Sequence, residues 1–132
     1  ALTAAGDPTT TPIIGLTYPD VILGEWVYPA GSPNQTLATD SVGAFKLLIN
    51  PALRAAYTAT AVGGAFVDVT AATGAYTPLT TTVVDPTYGT IPVAVADVCK
   101  ISYFCSIGNI HANTLGYTTI GKLVVSKYKS LP

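Results

Sequence analysis

The sequence contains no methionine, one histidine, one tryptophan and two cysteines, and only 10% of its 132 residues are charged. Each scarcity excludes something. The single histidine, His111, lies in the stretch GNIHANTLG with no Asp or Glu close by in sequence, so no local spacing assembles a nucleophile, a base and a group to orient the base. The 7 Asp and Glu residues are scattered singly, and nothing brings two of them to the separation that carboxylate acid/base chemistry needs. The histidine, thiols and isolated aspartates match no zinc or calcium motif. Gly63-Gly64 lacks the further glycine, lysine and helix start of a phosphate loop. The expectation is a protein that is not an enzyme and holds no metal or cofactor.

Charge is equally sparse. With 6 Lys and Arg residues and a net charge of −1, the chain has no basic cluster to displace counterions from a nucleic-acid backbone, and no such partner is expected. Lys122, Lys127 and Lys129 gather near the C-terminus while Asp7, Asp20, Glu25 and Asp40 occupy the first third. This asymmetry reads either as solvated side chains or as head-to-tail complementarity between like subunits. No apolar run reaches the ~18 residues of a membrane helix, because Asp97 and Lys100 interrupt IPVAVADVCKISYF. The opening ALTAAGDPTTTP has neither the basic nor the apolar region of a signal peptide. Trimming of an initiator Met and cleavage of a longer export signal both remain open.

What is present is a chain that is 49% hydrophobic, with 12 glycines, 10 prolines and abundant threonine. Short β-rich runs separated by Gly, Pro, Asn and Asp predict one all-β domain, a sandwich or barrel, over residues 20–132. VILGEWVY reads as a strand followed by a turn at Pro29 to Asn34. FKLLI, GGAFVDVTA, TPLTTTVVD, IPVAVADV, KISYFCSI and LVVSKY read as further strands. Asn50-Pro51 is an N-cap and first-turn pair, so one short helix is predicted over 51–57. Residues 1–19, punctuated by Pro8, Pro12 and Pro19, read as an extended N-terminal arm carrying the apolar cluster Ile13, Ile14 and Leu16. If VCKISYFC is a strand, Cys99 and Cys105 sit roughly 20 Å apart, at about 3.3 Å per residue, beyond the reach of a disulfide. Free thiols are expected unless a tight turn separates them. Asn34-Gln35-Thr36 is formally a glycosylation acceptor.

The order of residues in VILGEWVYPAGSPNQTLATD, with Val21, Gly24, Glu25, Val27 and Tyr28 followed by Leu37, Ala38 and Asp40, resembles the opening hairpin of the small β-rich head decoration, or cement, proteins of tailed bacteriophages. YFCSIGNIHANTLGYTTIGKLVVS is similar to their last hairpin, through Gly108 and the run Leu115 to Gly121. The resemblance implies a β-tulip or barrel added to the outside of a capsid in the virion, commonly as a homo-oligomer, with the major capsid protein or copies of itself as partner. Ile13, Ile14, Leu16 and Tyr18 would then contact the shell by strand addition or pocket filling, and Trp26 and Tyr28 would lie in the core or at a subunit seam. The domain would remain folded without residues 1–19.

The rival expectation is an exported filament or surface-layer subunit, extracellular, whose arm completes the sheet of the next copy. Low charge, threonine and the glycosylation triplet suit it, and free thiols suit it less. A sugar-binding β-sandwich is a third reading, weakened by a single Trp and no calcium cluster.

Overall fold

The computed structural model describes residues 12–28, 33–58 and 64–131. Helix accounts for 59% of them and strand for 18%. The architecture is mixed α/β, which overturns the all-β sandwich or barrel, its β-tulip-like variant and the single short helix.

The chain runs from β1 (Ile14–Leu16) through a 3₁₀ helix (Val21–Val27) into α1 (Pro33–Ala44). A widened π turn (Phe45–Ile49) joins α1 to α2 (Asn50–Thr58). There follow β2 (Ala65–Val67), α3 (Val69–Ala72), the strands β3 (Thr82–Asp85) and β4 (Gly89–Pro92), and α4 (Val93–Ile101). The chain ends with β5 (Ser102–Tyr103), α5 (Phe104–Ile107), β6 (Asn109–Ala112) and α6 (Thr114–Lys129). The strands form three separate pairs: β1 parallel to β2, β3 antiparallel to β4, and β5 antiparallel to β6. No closed or stacked sheet exists among the described residues.

The core forms around α4. Ala94, Val95, Val98 and Ile101 are all buried, and their spacing of one, three and three residues places them on one helix face. The helical period of these apolar positions overrides the strand preference of valine. Val21 and Leu23 of the 3₁₀ helix, Ala75, Ile91 and Phe104 close the cluster, with Trp26 and Val42 packed against its edge. The expected opening hairpin is absent: the residues from Val21 to Val27 are helical, and Leu37, Ala38 and Asp40 lie on α1. The intervening turn falls partly outside the described residues.

Threonine, read in the sequence as a strand former, is used differently. Thr39, Thr58, Thr118 and Thr119 donate their hydroxyls to the carbonyls of Gln35, Arg54, Thr114 and Leu115, four residues back in the same helix. The helix thereby satisfies a polar side chain that would otherwise compete with its backbone. Side-chain caps set two helix starts: Asp68 accepts from the Ala71 amide at α3, and Asn113 from the Gly116 amide at α6. The π turn has its cause in Pro51. In a regular helix the proline ring would meet the Leu47 carbonyl four residues back; here the Asn50 amide reaches Phe45, five residues back, and the ladder widens before the ring. At Gly116 α6 crosses so close to α4 that a Cβ would collide with the Ile101 carbonyl.

The thiol expectation is corrected as well. Cys99 and Cys105 form a disulfide, their Cα atoms 5.2 Å apart. The strand assumed between them does not exist: α4 ends at Ile101, the chain turns through Ser102 and Tyr103, and α5 begins at Phe104. This turn draws the two residues into disulfide range. Closing so short a loop stabilises the fold by about 2 kcal/mol. Reduction is expected to lower the unfolding free energy by that amount while leaving helix content intact, which urea titration followed by circular dichroism would measure with and without reductant.

Candidate functional site

Residues 12–19, assigned to the expected arm, are built into the domain, while residues 1–11 lie outside the described ones. Ile14 to Leu16 pair with Ala65 to Val67, and the Ile13 carbonyl accepts from the Ala65 amide at 2.8 Å. Thr17 is buried, and its hydroxyl accepts from both the Thr70 amide (2.9 Å) and the Thr70 hydroxyl (3.0 Å). Asn50 Nδ2 donates onward to Thr70 Oγ1 and to the Tyr76 hydroxyl. A continuous polar seam thus ties the N-terminal segment to α2 and α3.

Asp20 extends this seam to α1. It is fully buried, with Oδ2 accepting from Ser41 Oγ at 2.9 Å and Oδ1 without a hydrogen-bond partner among the described residues. Burial pushes its carboxyl up to about 6, offset in part by the Ser41 hydroxyl and the nearby Ile22 and Leu23 amides. Burial also raises the Tyr18 and Tyr76 phenols.

The expected interface residues do not gather into one surface. Tyr18 turns its hydroxyl to accept from the Ala112 amide at 2.7 Å, and Leu16 is exposed. Trp26 packs on the core, and its carbonyl accepts from Gln35 Nε2. Tyr28 is exposed, with its hydroxyl beside Gly108. Asn34, the glycosylation candidate, donates its amide to the Glu25 carboxylate at the start of α1.

Two of the surface clefts among the described residues adjoin α2 and α4. One, of about 430 Å³, lies between α2 and the Asp68–Tyr76 region. In it Lys46 lies 5.7 Å from the Tyr76 ring centre, and Arg54 sits over Phe66 while paired at 3.3 Å with Asp68. The other, of about 440 Å³, separates the β3–β4 hairpin from α4; its walls include Val83, Val84, Tyr88 and Ala96. His111 is exposed on β6 and lines neither. Among the described residues no group of His, Cys, Asp and Glu could hold a metal ion, and no helix is long and apolar enough to cross a membrane.

The surface holds the feature that the sequence reading missed. Leu47 and Leu48 are each 70% exposed and Ile49 44%, three consecutive aliphatic side chains on the π turn with no covering element among the described residues. From Lys46 to Thr58 only Asn50 is buried. Ile107, Ile110, Tyr117, Val125 and Tyr128 are exposed as well. The signal was available in FKLLINPAL: a Pro four residues after Leu47 disturbs a regular helix at that turn, and no helical turn puts three successive aliphatics on one buried face. No protein family, curated protein or solved structure matches the chain.

The raised Asp20 carboxyl has a sign that can be checked. A group whose folded pKa lies above its unfolded value stabilises the fold fully at pH below its usual value near 3.8, and that contribution is lost as pH rises through about 6. Between pH 4 and pH 7 the wild type should lose up to about 3 kcal/mol that Asp20→Asn retains. Thermal denaturation of both proteins across that range measures the difference.

Proposed function

We propose that the protein is a non-enzymatic structural subunit that works by packing against other protein chains, in the first instance copies of itself, in an extracellular layer or filament. The observation that carries this reading is the uncovered aliphatic turn Leu47-Leu48-Ile49 on a chain with only 10% charged residues. An isolated monomer relies on mixed charge to remain soluble and keeps large apolar side chains scattered. Here they stand in succession on one exposed helix, as at the core of an interface. The Cys99–Cys105 disulfide supports an oxidising location, because such bonds persist outside the reducing cytoplasm.

Attachment to the exterior of a virus capsid is the second reading. It draws on the concentration of three exposed aliphatics at one turn, which suits docking onto a foreign surface as well as onto a like subunit. The opening hairpin that the decoration-protein resemblance implied is helical here, so the fold lends that family no support. The mechanism is the same in both: a subunit that binds only the assembled state stabilises it by mass action, and repeated contacts add avidity.

Electron microscopy of the purified protein over a range of concentrations, beside the double variant Leu47→Ser/Leu48→Ser, tests the proposal. Ordered assemblies are expected for the wild type and their loss for the variant. Because both leucines are exposed, the variant should keep its stability within about 0.5 kcal/mol. A wild type that stays monomeric yet binds capsids would select the second reading, and assembly undiminished in the variant would remove the aliphatic turn from the interface.

A further inference from the structure

The β3–β4 hairpin has an open edge. In an antiparallel ladder, residues that exchange two hydrogen bonds with their partners alternate with residues whose N–H and C=O face away. The Val93 amide bonds the Thr81 carbonyl at 2.9 Å, and the register pairs Val83 with Ile91 and Asp85 with Gly89. This phase makes Val83 and Asp85 the bonded positions, so Thr82 and Val84 present their N–H and C=O groups on the outer edge. No hydrogen bond among the described residues uses these four groups. Thr82 and Val84 are both exposed, Val84 to 77%.

Free edges of this kind are normally guarded by a lysine, a proline, a bulge or a covering element. The run Thr80 to Val84 has no lysine and no proline, its pairing with β4 has no bulge, and its residues are strong strand formers. Proline and charge stand only outside this run, at Pro78 before it and at Asp85 and Pro86 after it.

We propose that β3 pairs with β3 of a second copy, antiparallel across a two-fold axis at Val83, to make a four-stranded sheet from two hairpins. This rests on the self-assembly reading above and names one of its contacts. In this register Thr82 faces Val84 of the other copy and Val84 faces Thr82, so all four outward groups of each copy find partners and four hydrogen bonds form. Asp85 falls opposite Thr81, and no like charges oppose one another. Shifting the pairing toward the turn sets Pro86, which lacks an N–H, against Thr82 and loses bonds. With a net charge of −1, two copies approach without appreciable repulsion. The cleft between the hairpin and α4, walled by Val83 and Val84, lies beside the seam and adds apolar surface to it. A strand this short makes a contact well below the roughly 1,600 Å² of a standard stable interface. The pair is accordingly weak and concentration-dependent in solution, and lasting only within an array of several contacts.

Sedimentation velocity from micromolar to millimolar concentration tests this on the full chain, comparing wild type with Val84→Pro and, as a second edge variant, Thr82→Pro. Each proline removes an outward N–H that the hairpin itself does not use, and circular dichroism checks the fold. The expected result is reversible association of the wild type, weakened at least roughly tenfold in either folded variant through the loss of two hydrogen bonds per dimer. Association of equal strength in the folded variants would overturn the β3 pairing and leave the self-assembly reading standing. A wild type monomeric throughout would overturn both.

Discussion

The fold depends on holding the stretch Thr17 to Asp20 between three helices by buried hydrogen bonds. Thr17 bonds Thr70, Thr70 bonds Asn50, and Asp20 bonds Ser41, all in positions almost closed to water. Buried polar groups left unpaired cost more than the net gain of pairing them, so this seam acts chiefly as a constraint on which arrangement of α1, α2 and α3 is allowed. It is not fully satisfied: Asp20 Oδ1 and Asn50 Oδ1 lack partners among the described residues. Burial makes Asp20 favour its protonated form and couples the packing of the N-terminal segment to pH.

Anchoring on one side leaves the other side bare. α2 turns Asn50 inward to the seam and the π turn before it points Leu47 to Ile49 outward, while α6 buries only Gly116 and carries Tyr117, Val125 and Tyr128 on its exposed surface. Few charges interrupt these surfaces. The same economy that gives a small, densely cross-bonded interior thus yields an exterior suited to contact with protein. The backbone edge of β3 offers a second kind of contact, directional where the aliphatic turn is not.

Some of this was legible in the sequence. The helix after Asn50-Pro51, the strand within GGAFVDVTA and the Asp85-Pro86 turn follow from local chemistry, and the structure has α2, β2 and the β3–β4 hairpin there. The rest was hidden by valine and threonine. Strand preference was read into IPVAVADV although Ala94, Val95 and Val98 already carried a helical period, and into LVVSKY, which ends α6. Threonine misled further because its bond to a carbonyl one turn back shows only once a helix is drawn. At Cys99 and Cys105 one wrong element carried the error into the thiol chemistry, since only the turn after Ile101 brings the pair together. The interface residues were sought in the N-terminal segment for its apolar cluster, yet Tyr18 is tied to the Ala112 amide and Trp26 is part of the packing, while the exposed aliphatics belong to a helix whose pattern read as strand.

The most direct test of the account is hydrogen–deuterium exchange of the wild type at low and at high protein concentration. The account predicts that amides in residues 45–58 and 81–85 exchange more slowly as concentration rises, while those of α4, already buried in the monomer, do not change. Exchange independent of concentration in both surface segments would contradict the claim that these surfaces exist to be covered by like chains.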